Sequence, residues 1–170
     1  MKKEIINKVS KIPIHNIDVG SFIPKNTRVV FDIKQWLKND LILIEKEFRN
    51  KIKEFNWEIY GDKLVSIQCS NDAIIPDWAF ILISSKLKEH NIINFIGSIE
   101  SMEEYLIYNS ISKHDFSAYE NKTIIIQGCS NESIPKSCYS LLIEKLQPVV
   151  KKILFGEACS SVAIFKKIRT

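Results

Sequence analysis

Short apolar runs recur along the chain, and their pattern predicts buried strands. None of these runs alternates cleanly between apolar and polar side chains, which is typical of strands in a sheet that is covered on both faces. The predicted strands are rich in β-branched residues and cover Arg28 to Phe31, Leu64 to Gln68, Ile92 to Ile96, Thr123 to Gln127 and Lys152 to Phe155. A further run, Val162 to Lys167, is expected to form an edge strand.

Helical patterns lie between the predicted strands. Leu43 to Phe55 and Ser101 to Lys113 form one pair of helices, and the second opens with the spacing of a capping box. Pro76 and Pro135 each suit the first turn of a further helix, because proline lacks only an N–H that would be unpaired there. Strands that alternate with helices predict an α/β fold, which we interpret as a three-layer sandwich with a mainly parallel sheet.

A stretch in the middle of the chain recurs near its end. Val65 to Asp72 is echoed by Ile124 to Glu132, with Gly128 as an extra residue before the second cysteine. The matching register extends over about residues 55–97 and 114–156. A register that is kept over so many positions predicts two duplicated βαβ units.

We expect one domain to account for the whole chain. Residues 1–170 are predicted to form a single α/β domain, in which residues 1–27 are an N-terminal arm. A chain of 170 residues that is 45% hydrophobic can bury a core large enough for stability without disulfides or metal. Any metal site would therefore serve function or local structure and would not be needed for the stability of the whole fold.

Charge and hydropathy argue against two classes of partner. No window resembles a transmembrane span, and Met1 to Ile14 interrupts each short apolar run with Lys, Asn or Ser, so we expect a cytoplasmic protein without a signal peptide. The net charge of +4 comes from interspersed basic and acidic residues. The only arginines are Arg28, Arg49 and Arg169, whereas nucleic-acid readers rely on clustered arginine. The sequence therefore predicts neither membrane nor nucleic-acid binding.

Three of the four cysteines follow predicted strands. Cys69 and Cys129 each lie after a strand and before a proline-led helix, and Cys159 follows the last parallel strand. The carboxyl ends of parallel strands meet at one edge of a sheet, where ligands gather. Cys138 lies instead in the apolar stripe of a helix, so we expect it to be a buried core residue.

Three thiols at one edge favour a metal site. Thiolate ligands select zinc or iron–sulfur clusters over harder cations, and reduced cysteines of a cytoplasmic protein indicate metal or redox chemistry before disulfides. Cys69, Cys129 and Cys159 are therefore the predicted metal ligands, although their spacing matches no local metal motif. Nearby acids are candidates for a further ligand or are ordinary loop charges: Asp72, Glu132 and Glu157.

Two other interpretations use the same cysteines. In one, a single thiol is the nucleophile or sulfur carrier of a thiol-dependent sulfur-transfer enzyme. In the other, the protein is a metal-free docking scaffold, and the shared Cys-Ser-Asn sequence serves turn geometry. No arginine follows Cys69 or Cys129 and no glycine-rich turn follows a strand, which argues against phosphatase-type, rhodanese-type, P-loop and dinucleotide sites. The sequence names no reaction, and a role other than catalysis is favoured.

Four stretches of the chain resemble an uncharacterised bacterial domain-of-unknown-function family: Arg28 to Leu37, Cys69 to Ala79, Gly128-Cys129 and Gly156 to Ser160. The resemblance covers nearly the whole chain. It implies that Cys69, Cys129 and Cys159 match cysteines of the family, whereas Cys138 does not. Genes of the family often neighbour Suf-type iron–sulfur cluster assembly genes. The resemblance therefore implies an accessory role in iron–sulfur cluster biogenesis, with iron–sulfur assembly proteins as partners.

Overall fold

Strands and helices alternate along the chain, as the apolar pattern predicts. The computed structural model describes residues 14–128, 134–157 and 159–168. Within these ranges the strands are β1 (Ile14–Asp18), β2 (Arg28–Asp32), β3 (Leu64–Gln68), β4 (Ile93–Ile96), β5 (Thr123–Gln127), β6 (Lys152–Phe155) and β7 (Val162–Lys166). The α-helices are α1 (Glu45–Glu54), α2 (Asp77–Glu89), α3 (Ile99–Lys113) and α4 (Lys136–Leu146). The α/β class is confirmed.

The chain divides into two units, which we name by their place in the sequence. The central unit is Lys25–Glu103, and the terminal unit is Met1–Pro24 together with Glu104–Thr170. The central unit contains the sheet β2-β3-β4, and the terminal unit contains the sheet β1-β5-β6-β7. The predicted single domain, three-layer sandwich and duplication stay predictions.

All three strands of the central sheet are parallel. Helix α2 follows β3 and precedes β4, and its buried side chains recur every four residues. Ala79, Ile83 and Leu87 are fully buried and belong to one core cluster with Val65 and Ile67 of β3. The apolar stripe of α2 therefore packs against the central sheet, and the loop that carries Cys69 connects β3 to this helix.

An aromatic cluster fills the same core. Phe31 of β2 packs edge to face on Trp36 at 4.9 Å between ring centroids and stacks on Trp57 at 5.5 Å. Phe48 of α1 packs on Trp36 at 5.5 Å. The indole N–H of Trp57 donates to the carbonyl of Ile52 at 3.0 Å, so its polar group is satisfied although the ring is buried. The cluster packs around Phe31, which directly precedes Asp32, the last residue of β2.

The terminal sheet has one antiparallel edge. β1, β5 and β6 are parallel neighbours, and β7 runs antiparallel to β6. Helix α4 buries Cys138, Leu142 and Leu146, which lie four residues apart, in a core cluster with Ile124 of β5 and Ile153 of β6. The predicted edge strand and the predicted core position of Cys138 are both confirmed.

Two local predictions differ from the structure. β1 lies within the predicted N-terminal arm and was missed, because only two of its five residues are apolar. The capping box at the start of α3 is wrong, since the helix begins at Ile99 and the hydroxyl of Ser98 accepts the N–H of Ser101 at 3.2 Å. Among the helices of the described ranges, none is long and apolar enough to span a membrane.

Candidate functional site

The cysteines predicted as ligands lie in different surroundings. Cys69 directly follows β3 in the central unit and is half-buried. Cys159 lies in the loop between β6 and β7 of the terminal unit and is exposed. Cys129 lies outside the described residues. Cys138, by contrast, is fully buried, so the thiols of Cys69 and Cys159 are the accessible ones among the cysteines that the structure describes.

A cavity of about 410 Å³ opens beside Cys69 at the carboxyl ends of β3 and β4. Its wall is largely apolar and includes Phe80 of α2 and Ile96 of β4, while Cys69, Asn71 and Ser98 are among the residues with polar or reactive side chains. Because β3 and β4 are adjacent and parallel, their carboxyl ends and following loops lie side by side. The position agrees with the strand-end location predicted for Cys69.

The thiol of Cys69 has a defined hydrogen bond. Its Sγ donates to Oδ1 of Asn71 at 2.8 Å. The amide nitrogen of the same Asn71 donates to the backbone carbonyl of Asp40, which sets the orientation of the amide and turns its oxygen toward the sulfur. The thiol contact therefore depends on the turn around Asp40 as well as on the Cys69 loop.

Asp32 anchors the residue that follows Cys69. Oδ1 of Asp32 accepts the backbone N–H of Lys34 at 3.0 Å and that of Ser70 at 3.1 Å. Burial opposes the ionised form of Asp32, but bonds from the Ser70 hydroxyl and from both N–H groups, together with the charge of Lys34, outweigh it and lower the pKa of Asp32. The end of β2 and the Cys69 loop are thus joined through one carboxylate.

Sequence reasoning missed this role of Asp32. The available signal was an aspartate directly after a buried strand, which is a common cap of a following helical turn. Asp32 does cap the 3-10 helix Ile33–Trp36. Its second bond, to Ser70, spans 38 residues and has no local sequence pattern.

Gly97 is one of the residues that line the cavity, and its position requires glycine. Its φ is +144°, and a Cβ at this position would lie 2.8 Å from Cε1 of Phe95. Its N–H donates to the carbonyl of Ile67 at 3.0 Å, and its carbonyl accepts the hydroxyl of Ser66 at 2.5 Å. These bonds continue the pairing of β3 and β4 past Ile96 and fix the backbone next to the Cys69 loop.

The terminal unit has aromatic residues at the repeat positions that correspond to two residues lining the cavity of the central unit. In the repeat, Tyr139 and Phe155 correspond to Phe80 and Ile96. The two rings meet edge to face at 5.7 Å and approach the backbone of Gly128. The extra glycine of the second repeat therefore lies where the rings leave no room for a side chain.

Glu157, one of the acids considered as a further ligand, has partners within the terminal unit. Its carboxylate accepts the side-chain N–H of Gln127 at 3.2 Å, and its carbonyl accepts the N–H of Ser160 at 2.9 Å. Asp72 is exposed in the central unit, and Glu132 lies outside the described residues. The contacts of Glu157 shape the loop that carries Cys159.

A family model described as "Protein of unknown function (DUF2480)" matches residues 3–167. The chain belongs to the DUF2480 family. This match confirms the resemblance to a domain-of-unknown-function family and covers both the central and the terminal unit. No curated protein and no solved structure matches the chain.

For this DUF2480 protein, the structure describes two of the three cysteines that are predicted to bind metal, Cys69 and Cys159. Zinc takes four ligands in structural sites and at least three protein ligands in catalytic ones. Within the described ranges, no group of three or more His, Cys, Asp or Glu side chains could hold a metal ion. The cavity beside Cys69 supplies one thiol. The site of Cys69, Cys129 and Cys159 therefore stays a prediction, with Cys129 outside the described residues.

Proposed function

We propose that this DUF2480 protein binds zinc or an iron–sulfur cluster through cysteines of its strand-end loops and assists iron–sulfur cluster biogenesis. The supporting observation is the accessibility of the thiols. Cys69 borders an open cavity and Cys159 is exposed, whereas Cys138, which was expected to be a core residue, is fully buried. Thiolate is the ligand that zinc and iron–sulfur clusters prefer.

The surroundings of Cys69 are compatible with a ligand role. A metal ion replaces the thiol proton, so the hydrogen bond from Cys69 to Asn71 is lost when the metal binds. The cavity beside the sulfur offers space for that change, and Asp32 keeps the following residue in place. Cys129 and Cys159 are the further ligands that the sequence predicts, and iron–sulfur assembly proteins are the proposed partners.

We also propose that residues 55–97 and 114–156 derive from one duplicated βαβ unit, and the strands that pair with β3 and β5 end in a similar way. β1 ends in Asp18, whose carboxylate accepts the N–H of Gly20 at 2.9 Å, and β2 ends in Asp32, which accepts the N–H of Lys34 at 3.0 Å. Each aspartate is paired in register with the last glutamine of the neighbouring strand: Asp18 with Gln127 and Asp32 with Gln68.

Sulfur transfer is the second candidate function. The observation that favours it is that Cys69 provides the one thiol in the described wall of the cavity. In this reaction the Cys69 thiolate would attack the outer sulfur of a persulfide donor, the donor S–S bond would break, and the donor would leave as a thiolate while Cys69 became a persulfide. This chemistry needs neither Cys129 nor Cys159.

Metal and sulfide analysis tests these functions. The wild-type protein and the variants Cys69→Ser, Cys129→Ser and Cys159→Ser are purified without oxygen from an iron-replete host, with Cys138→Ala as the buried control. Metal, acid-labile sulfide, absorption spectrum and cyanide-released sulfane sulfur are measured. Loss of stoichiometric metal in each of the three serine variants, but not in Cys138→Ala, supports the metal proposal.

The alternative outcomes are distinct. Sulfane sulfur that disappears only in Cys69→Ser, in protein that holds no stoichiometric metal, supports sulfur transfer and contradicts a shared metal site. Wild-type protein that stays free of metal and sulfide after reconstitution, and carries no sulfane sulfur, overturns both functions.

A further inference from the structure

Asp32 is connected to the cysteine loop by more than one bond. Its Oδ1 accepts the backbone N–H of Ser70 at 3.1 Å, and the hydroxyl of Ser70 donates to the same carboxyl group. Ser70 directly follows Cys69. The carboxylate therefore holds the backbone immediately beside the thiol, although the two residues are far apart in the sequence.

A second connection runs through Asn71. Its amide donates to the carbonyl of Asp40 and accepts the thiol of Cys69 at 2.8 Å. Asp40 lies in the turn that follows the 3-10 helix Ile33–Trp36, which Asp32 caps. The segment from Asp32 to Asp40 thus contacts the cysteine loop at both ends, and one of these contacts orients the sulfur.

We propose that Asp32 is the positioning residue of the Cys69 site. It fixes the backbone of Ser70, and this sets the direction and the exposure of the Cys69 thiol. The inference rests on the proposed function, in which Cys69 binds metal or sulfur. Asp32 itself does not contact the thiol among the described hydrogen bonds. Hydrogen bonds to a charged group are stronger than neutral ones, so one carboxylate is able to hold the loop.

Asp18 is a matched control within the same chain. It ends β1 as Asp32 ends β2, and it caps the 3-10 helix Val19–Phe22 in the same way, by accepting the N–H of Gly20 at 2.9 Å. Asp18 belongs to the terminal unit, whereas Cys69 belongs to the central unit. Replacing Asp18 removes a comparable cap without removing the bond to Ser70.

The test is the alkylation rate of each cysteine in full-length protein from which metal has been removed by chelation. Iodoacetamide labelling is followed by peptide-resolved mass spectrometry, so that Cys69 and Cys159 report separately. Asp32→Ala is expected to raise the Cys69 rate about tenfold, the change that corresponds to losing one charge-assisted hydrogen bond. Asp32→Asn retains an oxygen that accepts both N–H groups and is expected to stay within about threefold of wild type. Asp18→Ala leaves the Cys69 rate unchanged.

Ser70→Ala provides a milder variant should Asp32→Ala fail to fold. It removes only the hydroxyl bond to Asp32 and is expected to raise the Cys69 rate by about threefold. Thermal melting verifies that each variant is folded at the assay temperature. A Cys69 rate that stays at the wild-type value in both Asp32→Ala and Ser70→Ala overturns the proposal, as does an equal rise at Cys69 and Cys159. Because the protein is metal-free in this assay, the alkylation rates test the role of Asp32 even if the metal proposal fails.

Discussion

The hydroxyl of Tyr139 occupies the place that a side chain on Gly128 would need. A Cβ on Gly128 would lie 2.8 Å from Oη of Tyr139 and 2.9 Å from Cζ of Phe155. Real Cβ atoms essentially never approach other heavy atoms so closely, so one of the rings would have to move. The two rings pack on each other, so moving either ring changes its contact with the other.

Gly128→Ala is therefore expected to destabilise the protein by about 1–3 kcal/mol, the usual cost of overpacking. The measurement is urea unfolding followed by far-UV circular dichroism, which reports both units, because Trp36, Trp57 and Trp78 all lie in the central unit. In a Tyr139→Phe background the closest atom is absent, so the same substitution is expected to cost less. Gly61→Ala is the control, because its nearest atom, the carbonyl oxygen of Glu58, is at 3.4 Å and φ is −36°. Equal costs at Gly128 and Gly61 would contradict the prediction.

Cys138 should make the stability of the protein sensitive to alkaline pH. Burial, and to a smaller degree the charge of Glu104, raises the pKa of Cys138 against an opposing bond from Ser137. The unfolded thiol has a pKa of about 8.5, so unfolding releases a proton above this pH and becomes more favourable. The contribution of Cys138 is therefore fully present below about pH 8.5 and is lost as the pH rises toward the folded-state value.

The comparison of wild type with Cys138→Ala isolates this effect. The stability difference between the two proteins is expected to stay constant from pH 7 to about pH 8 and to shrink up to pH 10.5. Unfolding by urea in a reducing buffer at each pH provides the measurement. A difference that is independent of pH would show that the thiol does not titrate differently in the folded and unfolded states.

The sequence was sufficient for most strands because their signal is local. β3, β5 and β6 have the predicted bounds, since each is a β-branched run that turn residues flank. β1 has no such signal. His15, Asn16 and Asp18 interrupt its apolar pattern, and its partner β5 lies far along the chain. The strand forms because pairing with β5 supplies the hydrogen bonds that its own sequence does not indicate.

The candidate site likewise depends on contacts between distant segments that the sequence does not indicate. The position of Cys69 after a buried strand was readable from the repeat, and so was the core position of Cys138. The bond from Ser70 to Asp32 and the bond from Asn71 to Asp40 join segments that are 38 and 31 residues apart. Such contacts depend on which strands are neighbours, and a single sequence leaves strand order open.

Asp32 should contribute to stability in a pH-dependent way at the acidic end. Although burial works against it, the bonds to Ser70 and Lys34 lower the pKa of Asp32 in the folded protein. Its contribution is therefore present above the unfolded value of about 3.9 and is lost as the pH falls through the folded value. The stability difference between wild type and Asp32→Asn is expected to be constant above about pH 5 and to shrink toward pH 2.5. A constant difference over that range would contradict the assignment.

The ion pair between Arg28 and Glu103 is expected to couple the start of β2 to the first turns of α3. The guanidinium binds the carboxylate at two points, Nε to Oε1 and Nη2 to Oε2, the latter at 2.9 Å, and the two side chains are only 22% and 25% exposed. A two-point pair with this exposure exceeds an ordinary surface pair. A double-mutant cycle with Arg28→Met and Glu103→Gln, each of which removes one charge, should therefore give a coupling energy of about 1 kcal/mol. The pair of Arg49 and Glu45 on α1 is the matched control, because its side chains are 50% and 62% exposed and its expected coupling is about 0.3–0.5 kcal/mol.

Urea unfolding at low salt and at 1 M NaCl measures the coupling energies of both pairs, and salt should reduce the coupling of the exposed pair by the larger fraction. Equal coupling energies at the two sites would show that the geometry of the Arg28 pair adds nothing to stability.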